Sequence, residues 1–137
     1  MSDLGLTHVA LPCTDMDKTI AFYAEYADMH VVHDRDAGGT RVAWLSDLTR
    51  PFVLVFLQTK SVERALGPFA HLGVALNSRE EVDARIAKAR AAGVEVEGPT
   101  DSGPPVGYWV FLRDPDGHTL ELAYGQEVEF TVNSAAE

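Results

Sequence analysis

The feature that most constrains the fold is an internal echo. Residues 6–11 read Leu-Thr-His-Val-Ala-Leu, and residues 69–76 read Phe-Ala-His-Leu-Gly-Val-Ala-Leu. Each run is apolar with a histidine at its third position, His8 and His71. Seven residues after each histidine stands a good helix N-cap, Asp15 and Ser78. A chain that repeats its opening unit in this way is built from one supersecondary motif used twice.

Beyond each cap the motif sharpens. Over residues 15–27, Ile20, Tyr23 and Ala27 recur at helical spacing, as do Val82, Ile86 and Ala89 over residues 78–92. Glu81 completes a capping box with Ser78, and Gly93 is a C-terminal stop. Strand-like runs come next: residues 30–33, 40–45 and 52–58 in the first half, and 94–97, 107–112 and 119–124 in the second. Asp114-Pro115-Asp116-Gly117 is strong turn chemistry before the last of them. The expectation is an α+β fold of two tandem βαβββ modules. Together they should form a cup-shaped, mostly antiparallel sheet with the helices outside. The whole of residues 1–137 reads as one domain, with module one at about 4–60, module two at about 67–125 and a tail at 126–137. Residues 59–68 connect the halves, and residues 128–132 are expected to add an edge strand.

Composition bounds the function. Lysine and arginine number 11 against 21 aspartates and glutamates, a formal charge of −10. That surface repels phosphate backbones and anionic headgroups, which argues against nucleic-acid and membrane partners and for a small-molecule substrate. The single cysteine, Cys13, excludes an intrachain disulfide and a cysteine-rich zinc site. No segment reaches the roughly 18 apolar residues that span a bilayer, and residues 1–5 lack the character of a secretory signal. A soluble, cytoplasmic protein is expected.

The chemistry-bearing residues follow the repeat. His8 and His71 occupy equivalent opening strands, and Glu121 lies among apolar neighbours in the last strand. A carboxylate buried there needs a partner. Two imidazoles and a carboxylate form a metal-binding set that leaves coordination positions open, while each histidine could equally be a satisfied strand residue. Trp44, Trp109, Phe111 and Tyr124 are candidate substrate contacts, with core packing as the plainer alternative. Strand alternation puts Trp109 with Phe111, and Val53, Val55 and Leu57 on the face opposite Leu54 and Phe56. His118 is expected to be solvated in its turn, and Lys18 and Arg41 to be surface charges or contacts for an anion.

Four segments carry a family resemblance: residues 6–11, 15–23 (Asp-Met-Asp-Lys-Thr-Ile-Ala-Phe-Tyr), 71–75 (His-Leu-Gly-Val-Ala) and 111–122 (Phe-Leu-Arg-Asp-Pro-Asp-Gly-His-Thr-Leu-Glu-Leu). In these the chain resembles the vicinal oxygen chelate superfamily, which includes glyoxalase I, fosfomycin-resistance proteins, extradiol dioxygenases and bleomycin-binding proteins. The resemblance implies a homodimer and a divalent metal (Fe, Mn, Ni, Co or Zn) held by His8, His71 and Glu121. It also implies that Glu121 is a catalytic base in a glyoxalase-like lyase or isomerase. An extradiol-type Fe(II) dioxygenase and a non-catalytic, bleomycin-resistance-like binder are the alternatives. Three departures bear on the choice. The fourth ligand usual in glyoxalase I would fall in residues 52–57, which are apolar, with Gln58 the nearest polar candidate. The dioxygenase tyrosine and acid–base histidine would fall at Phe111 and near Phe56. Residues 122–130 lack the lysine or arginine that fosfomycin-resistance enzymes place after the glutamate.

Overall fold

A computed structural model describes residues 2–67 and 69–137. Met1, and Pro68 at the end of the expected connector, lie outside the described residues. The chain forms two compact units, 1–65 and 66–137.

In the first unit, strand β1 (His8–Cys13) leads to helix α1 (Met16–Ala27) and then to strands β2 (His30–Ala37), β3 (Thr40–Ser46) and β4 (Val53–Gln58). The sheet order is β1-β4-β3-β2, with β1 parallel to β4 and the other pairs antiparallel. Asp15 starts α1 by accepting from the Lys18 N–H, as its position in the sequence suggested. One face of α1 buries Met16, Phe22, Tyr23 and Tyr26 against Leu11, Ala43, Leu45, Leu54 and Phe56 of the sheet. Each such large side chain contributes about 1.5–3 kcal/mol on burial. Tyr23 packs between Phe22 and Phe56, at ring-centroid distances of 5.1 and 5.2 Å. The alternation on β4 is as expected: Leu54 and Phe56 are buried beneath the helix, while Val53, Val55 and Leu57 share the other face. β2 runs four residues beyond the segment legible in the sequence, because it is an edge strand exposed along its whole length. Its polar side chains, such as Asp34 and Asp36, carry no apolar alternation.

The second unit repeats the plan: β5 (Leu72–Ala75), α2 (Arg79–Ala91), β6 (Val96–Asp101), β7 (Tyr108–Arg113) and β8 (Thr119–Tyr124), in sheet order β5-β8-β7-β6. Again the first strand is parallel to the last and the remaining pairs are antiparallel. Ser78 caps α2 through the Glu81 N–H, and Gly93, at φ +77°, ends it in the left-handed conformation that glycine adopts without steric cost. Val82, Ile86 and Ala89 of α2 are buried together with Val110, Leu112, Leu120 and Leu122 of the sheet. Both sheets are therefore mixed, mostly antiparallel, and covered on one face by their own helix, the α+β plan expected.

Two expectations are corrected here. Residues 128–132 belong to a helix, α3 (Val128–Ala136), not an edge strand. Its valines suggest a strand, but among the described residues no sheet edge receives them, and every residue of α3 is exposed. His118 is not solvated but buried, at 1% exposure. Its ring Nδ1 accepts from the Leu66 N–H at 3.0 Å, and its own N–H donates to Asp114 Oδ1. The tight turn folds the imidazole inward as a staple between chain segments.

Candidate active site

Because side chains alternate along a strand, each sheet has a face turned away from its helix, and the residues of interest collect there. In the second unit Glu121 stands opposite Phe111 on β7 and opposite Gly73 on β5. His71 immediately precedes β5, and its ring lies 5.1 Å from that of Phe111. Phe111 in turn packs on Trp109 at 4.8 Å, the pairing that alternation implied. Tyr124 is on the other face of β8, with Leu120 and Leu122, so the structure does not bring it to Glu121.

Three details suit this cluster to holding a cation. His71 Nδ1 lies 3.0 Å from the carbonyl oxygen of Phe69. A carbonyl only accepts, so Nδ1 is the donor, and in the neutral ring Nε2 is the nitrogen that bears the lone pair. Glu121 is 7% exposed, and its one hydrogen bond comes from Gln126 Nε2 to Oε2 at 3.0 Å. Among the described residues no cation pairs with it, so this carboxylate is buried without its charge being met. Finally, a Cβ built on Gly73 would sit 3.5 Å from Glu121 Oε2, so the glycine leaves open the space beside the carboxylate that a larger side chain would fill. The chemistry of this donor set fits a divalent metal.

The first unit presents the equivalent positions with different chemistry. His8 opens β1, with its Nδ1 2.9 Å from the Thr7 hydroxyl. Register identifies the counterparts. Gly73, two residues after His71, pairs with Glu121; Ala10, two residues after His8, pairs with Val55. Phe111 faces Glu121 as Trp44 faces Val55. The position corresponding to Glu121 is thus an aliphatic residue. Gln58 does not substitute for it: its Oε1 accepts from the Met16 N–H at 2.8 Å and so serves the start of α1. Phe56 is wholly buried under α1. His8, Trp44 and Val55 line a concavity of about 530 Å³, with Arg35 and Arg50 at its walls. His33 stacks on Trp44 at 4.7 Å, and the Arg35 guanidinium lies 5.9 Å from the same ring. Arg41 is occupied elsewhere, bridging Asp17 at 2.8 Å and Asp34 at 2.9 Å.

His8 belongs to one unit and His71 with Glu121 to the other. Among the described residues no group of three or more His, Cys, Asp or Glu side chains gathers to hold an ion. Sequence reading missed Gln126, Arg35 and Arg50. Gln126 opens the tail, residues 126–137, which lies outside both expected modules. Arg35 lay beyond the end assigned to its strand, although its spacing of two from His33 would have placed it on the Trp44 face.

With this geometry in hand, comparison with known proteins places the chain. A model of the Glyoxalase/Bleomycin resistance protein/Dioxygenase superfamily matches residues 5–122, and the chain belongs to that family. It is 39% identical over 126 residues to the uncharacterized protein PA2024 of Pseudomonas aeruginosa, an alignment covering 88% of this chain and 89% of that one. It is 31% identical over 124 residues to a Brassica oleracea var. gemmifera protein named "Putative lactoylglutathione lyase", covering 84% of this chain and 42% of the relative. Among solved structures, the fosfomycin resistance protein FosX of Listeria monocytogenes, in complex with Mn(II), superposes with a TM-score of 0.73 at 21% identity, covering 96% of this chain and 97% of FosX. That likeness establishes the fold. Among the described residues no helix is long and apolar enough to cross a membrane.

Proposed function

We propose that this chain is a divalent-metal-dependent enzyme of glyoxalase type, a lyase or isomerase acting on a small substrate that offers two neighbouring oxygens. The observation that carries the reading is the buried, cation-less carboxylate of Glu121 beside a histidine whose Nδ1 is engaged by the Phe69 carbonyl, leaving Nε2 as the ligating nitrogen. His71 and Glu121 would hold the metal, with His8 as the third ligand. When bound, the metal supplies a Lewis acid that polarises substrate oxygens. The chain's own residues do the rest. Phe111 and Trp109 form an apolar wall that excludes water from one side of the carboxylate. Gln126 fixes Oε2 of Glu121, which leaves Oε1 as the oxygen that takes a proton from substrate carbon.

The dioxygenase alternative has less support, since Phe111 stands where that chemistry needs a tyrosine and Phe56 is sealed in the core. The non-catalytic binder is favoured by one observation, the aliphatic Val55 at the repeat position of Glu121. The proposal includes a homodimer in the cytoplasm.

Elemental analysis of protein purified without chelator or added metal tests the reading. About one Ni, Co, Zn or Mn per chain, with turnover of thiol adducts of 2-oxoaldehydes that is lost in Glu121→Gln, is the expected result. About one Fe per chain with oxygen consumption would transfer the assignment to the dioxygenase. No metal, and none taken up on titration, would leave the binder.

A further inference from the structure

We infer that the first unit carries an anion-binding site, in which Arg35 and Arg50 hold the carboxylate or phosphonate of a compact organic acid whose apolar body lies against Trp44. The inference deepens the proposed function, because His8 lines the same concavity, but capture of the anion does not require the metal.

Charge distribution is the first ground. The chain carries −10 overall, yet among the described residues no aspartate or glutamate lines this concavity of about 530 Å³, and two guanidiniums do. The second ground is that, among the described residues, neither guanidinium forms a direct ion pair with a carboxylate. Arg41, Arg79, Arg85 and Arg113 each meet a carboxylate within 4 Å. Among the described residues Arg35 and Arg50 form no ion pair within 4 Å; Arg50 makes a long contact, 3.4 Å, to the Thr49 hydroxyl and acts on the Asp47 carboxylate only through space. The nearby carboxylates are turned to other work: Asp34 to Arg41, Asp36 to the Gly39 N–H, and Asp47 to the backbone and hydroxyl of Thr49. Arg90, by contrast, spends its guanidinium on the Gly98 carbonyl. Two guanidiniums that line one hollow without a direct ion pair leave local positive potential for a ligand to neutralise.

The third ground is shape. Arg35 lies on the Trp44 face of β2, since His33 pairs with Trp44 and Arg35 with Val42. Arg50 comes from the loop between β3 and β4, whose turn is closed by the Phe52 N–H bonding the Arg50 carbonyl at 2.8 Å. Val53 and Val55 supply an apolar floor, and Trp44, 37% exposed, supplies a ring face that a planar ligand can cover. Guanidinium forks suit oxyanions that accept two parallel hydrogen bonds.

The test uses the full chain, dialysed against chelator and held in phosphate-free buffer. Benzoate and phenylphosphonate are titrated, with benzamide as the neutral isostere of benzoate. A Trp109→Phe background leaves Trp44 as the fluorophore. Saturable quenching by both anions and none by benzamide is expected, weakened roughly tenfold or more in Arg35→Gln and in Arg50→Gln. Glu121→Gln should bind the anions as the parent does, which separates failure of this site from failure of the metal reading. Equal quenching by benzamide, or unchanged anion affinity in both well-folded arginine variants, overturns the inference. Should either variant unfold, amide shift mapping on the unmutated chain decides. Shifts confined to residues around His8, Arg35, Trp44 and Arg50 support the site, and shifts centred on Glu121 refute it.

Discussion

The buried carboxylate of Glu121 offers a sharp test, because a group kept for a ligand is a liability to the empty fold. Taking an ionised carboxylate out of water costs several kcal/mol. The one hydrogen bond from Gln126 returns about 1.5–3 kcal/mol of that. The metal-free protein should therefore carry an uncompensated cost of about 1–2 kcal/mol at this residue. Glu121→Gln removes the charge, keeps the volume and retains an amide oxygen for Gln126 Nε2. With chelator present, its midpoint should rise by about 3–8 °C, given the unfolding entropy of a chain this long. Adding a binding metal at about 100 times its Kd should stabilise the parent protein by about 2.7 kcal/mol, a further rise of roughly 10 °C, and leave the variant unmoved. Thermal unfolding followed by circular dichroism, with chelator and then with Ni, Mn, Zn or Co, reads both arms. A variant that melts lower than the parent in chelator would refute the reasoning, since the carboxylate would then be a satisfied structural group. A variant that keeps the metal-induced rise would remove Glu121 from the ligand set.

Other consequences can be measured alongside. Gln58→Ala deletes the acceptor for the Met16 N–H at the start of α1 and should cost about 1–2 kcal/mol, lowering the midpoint by several degrees. Metal content should be unchanged, and a loss of metal would return Gln58 to the ligand set. Tyr108 donates to Asp83 Oδ1 at 2.5 Å, and this bond, with burial and the Asp83 charge, holds its phenol above the ordinary tyrosine range. A raised folded pKa gives stability that is complete below about pH 10 and is lost as pH climbs through the folded value. The unfolding free energy of the parent should therefore fall more steeply between about pH 10 and 12 than that of Tyr108→Phe. Parallel slopes would place the shift elsewhere. Removing residues 129–137 deletes most of a helix in which no side chain is buried, while leaving Gln126 in place. The midpoint should move by no more than a degree or two, well short of the several degrees that loss of a buried element brings. A large drop would show that α3 packs on something.

Much of the architecture was legible because the repeat and the apolar alternation are dictated by the need to bury one face of each element. β8 was bounded to the residue, since Thr119-Leu120-Glu121-Leu122-Ala123-Tyr124 alternates cleanly between a strong turn and a glycine. Where the physics is not burial, the sequence spoke less plainly. β6 runs to Asp101 through Gly98-Pro99, residues that usually punctuate strands, and the ladder accommodates them by a register shift between Glu97 and Thr100. The tail shows the converse. Val128, Phe130 and Val132 alternate like a strand, but with no sheet edge to receive them, local helix hydrogen bonding such as Thr131 N–H to Glu127 O prevails. At the site, the pairing of Trp109 with Phe111 followed from strand period alone. Gln126 did not, because only the turn after β8 brings its amide back onto Glu121.

The two units also explain why a duplicated motif need not give a duplicated site. Equivalent strands place His8, Trp44 and Val55 where the second unit has His71, Phe111 and Glu121. A carboxylate at both positions would double the desolvation cost for each copy of the fold, and that cost is recovered only where a cation is captured. With valine in the first unit the floor is apolar and imposes no such cost, and the histidine there is released from a local carboxylate partner. The positive charge of Arg35 and Arg50 can then accumulate beside it without being neutralised from within. On the proposed reading, one sheet face is then suited to a cation and the other to an anion, from the same backbone. The difference between glutamate and valine at one repeat position is what separates the two units.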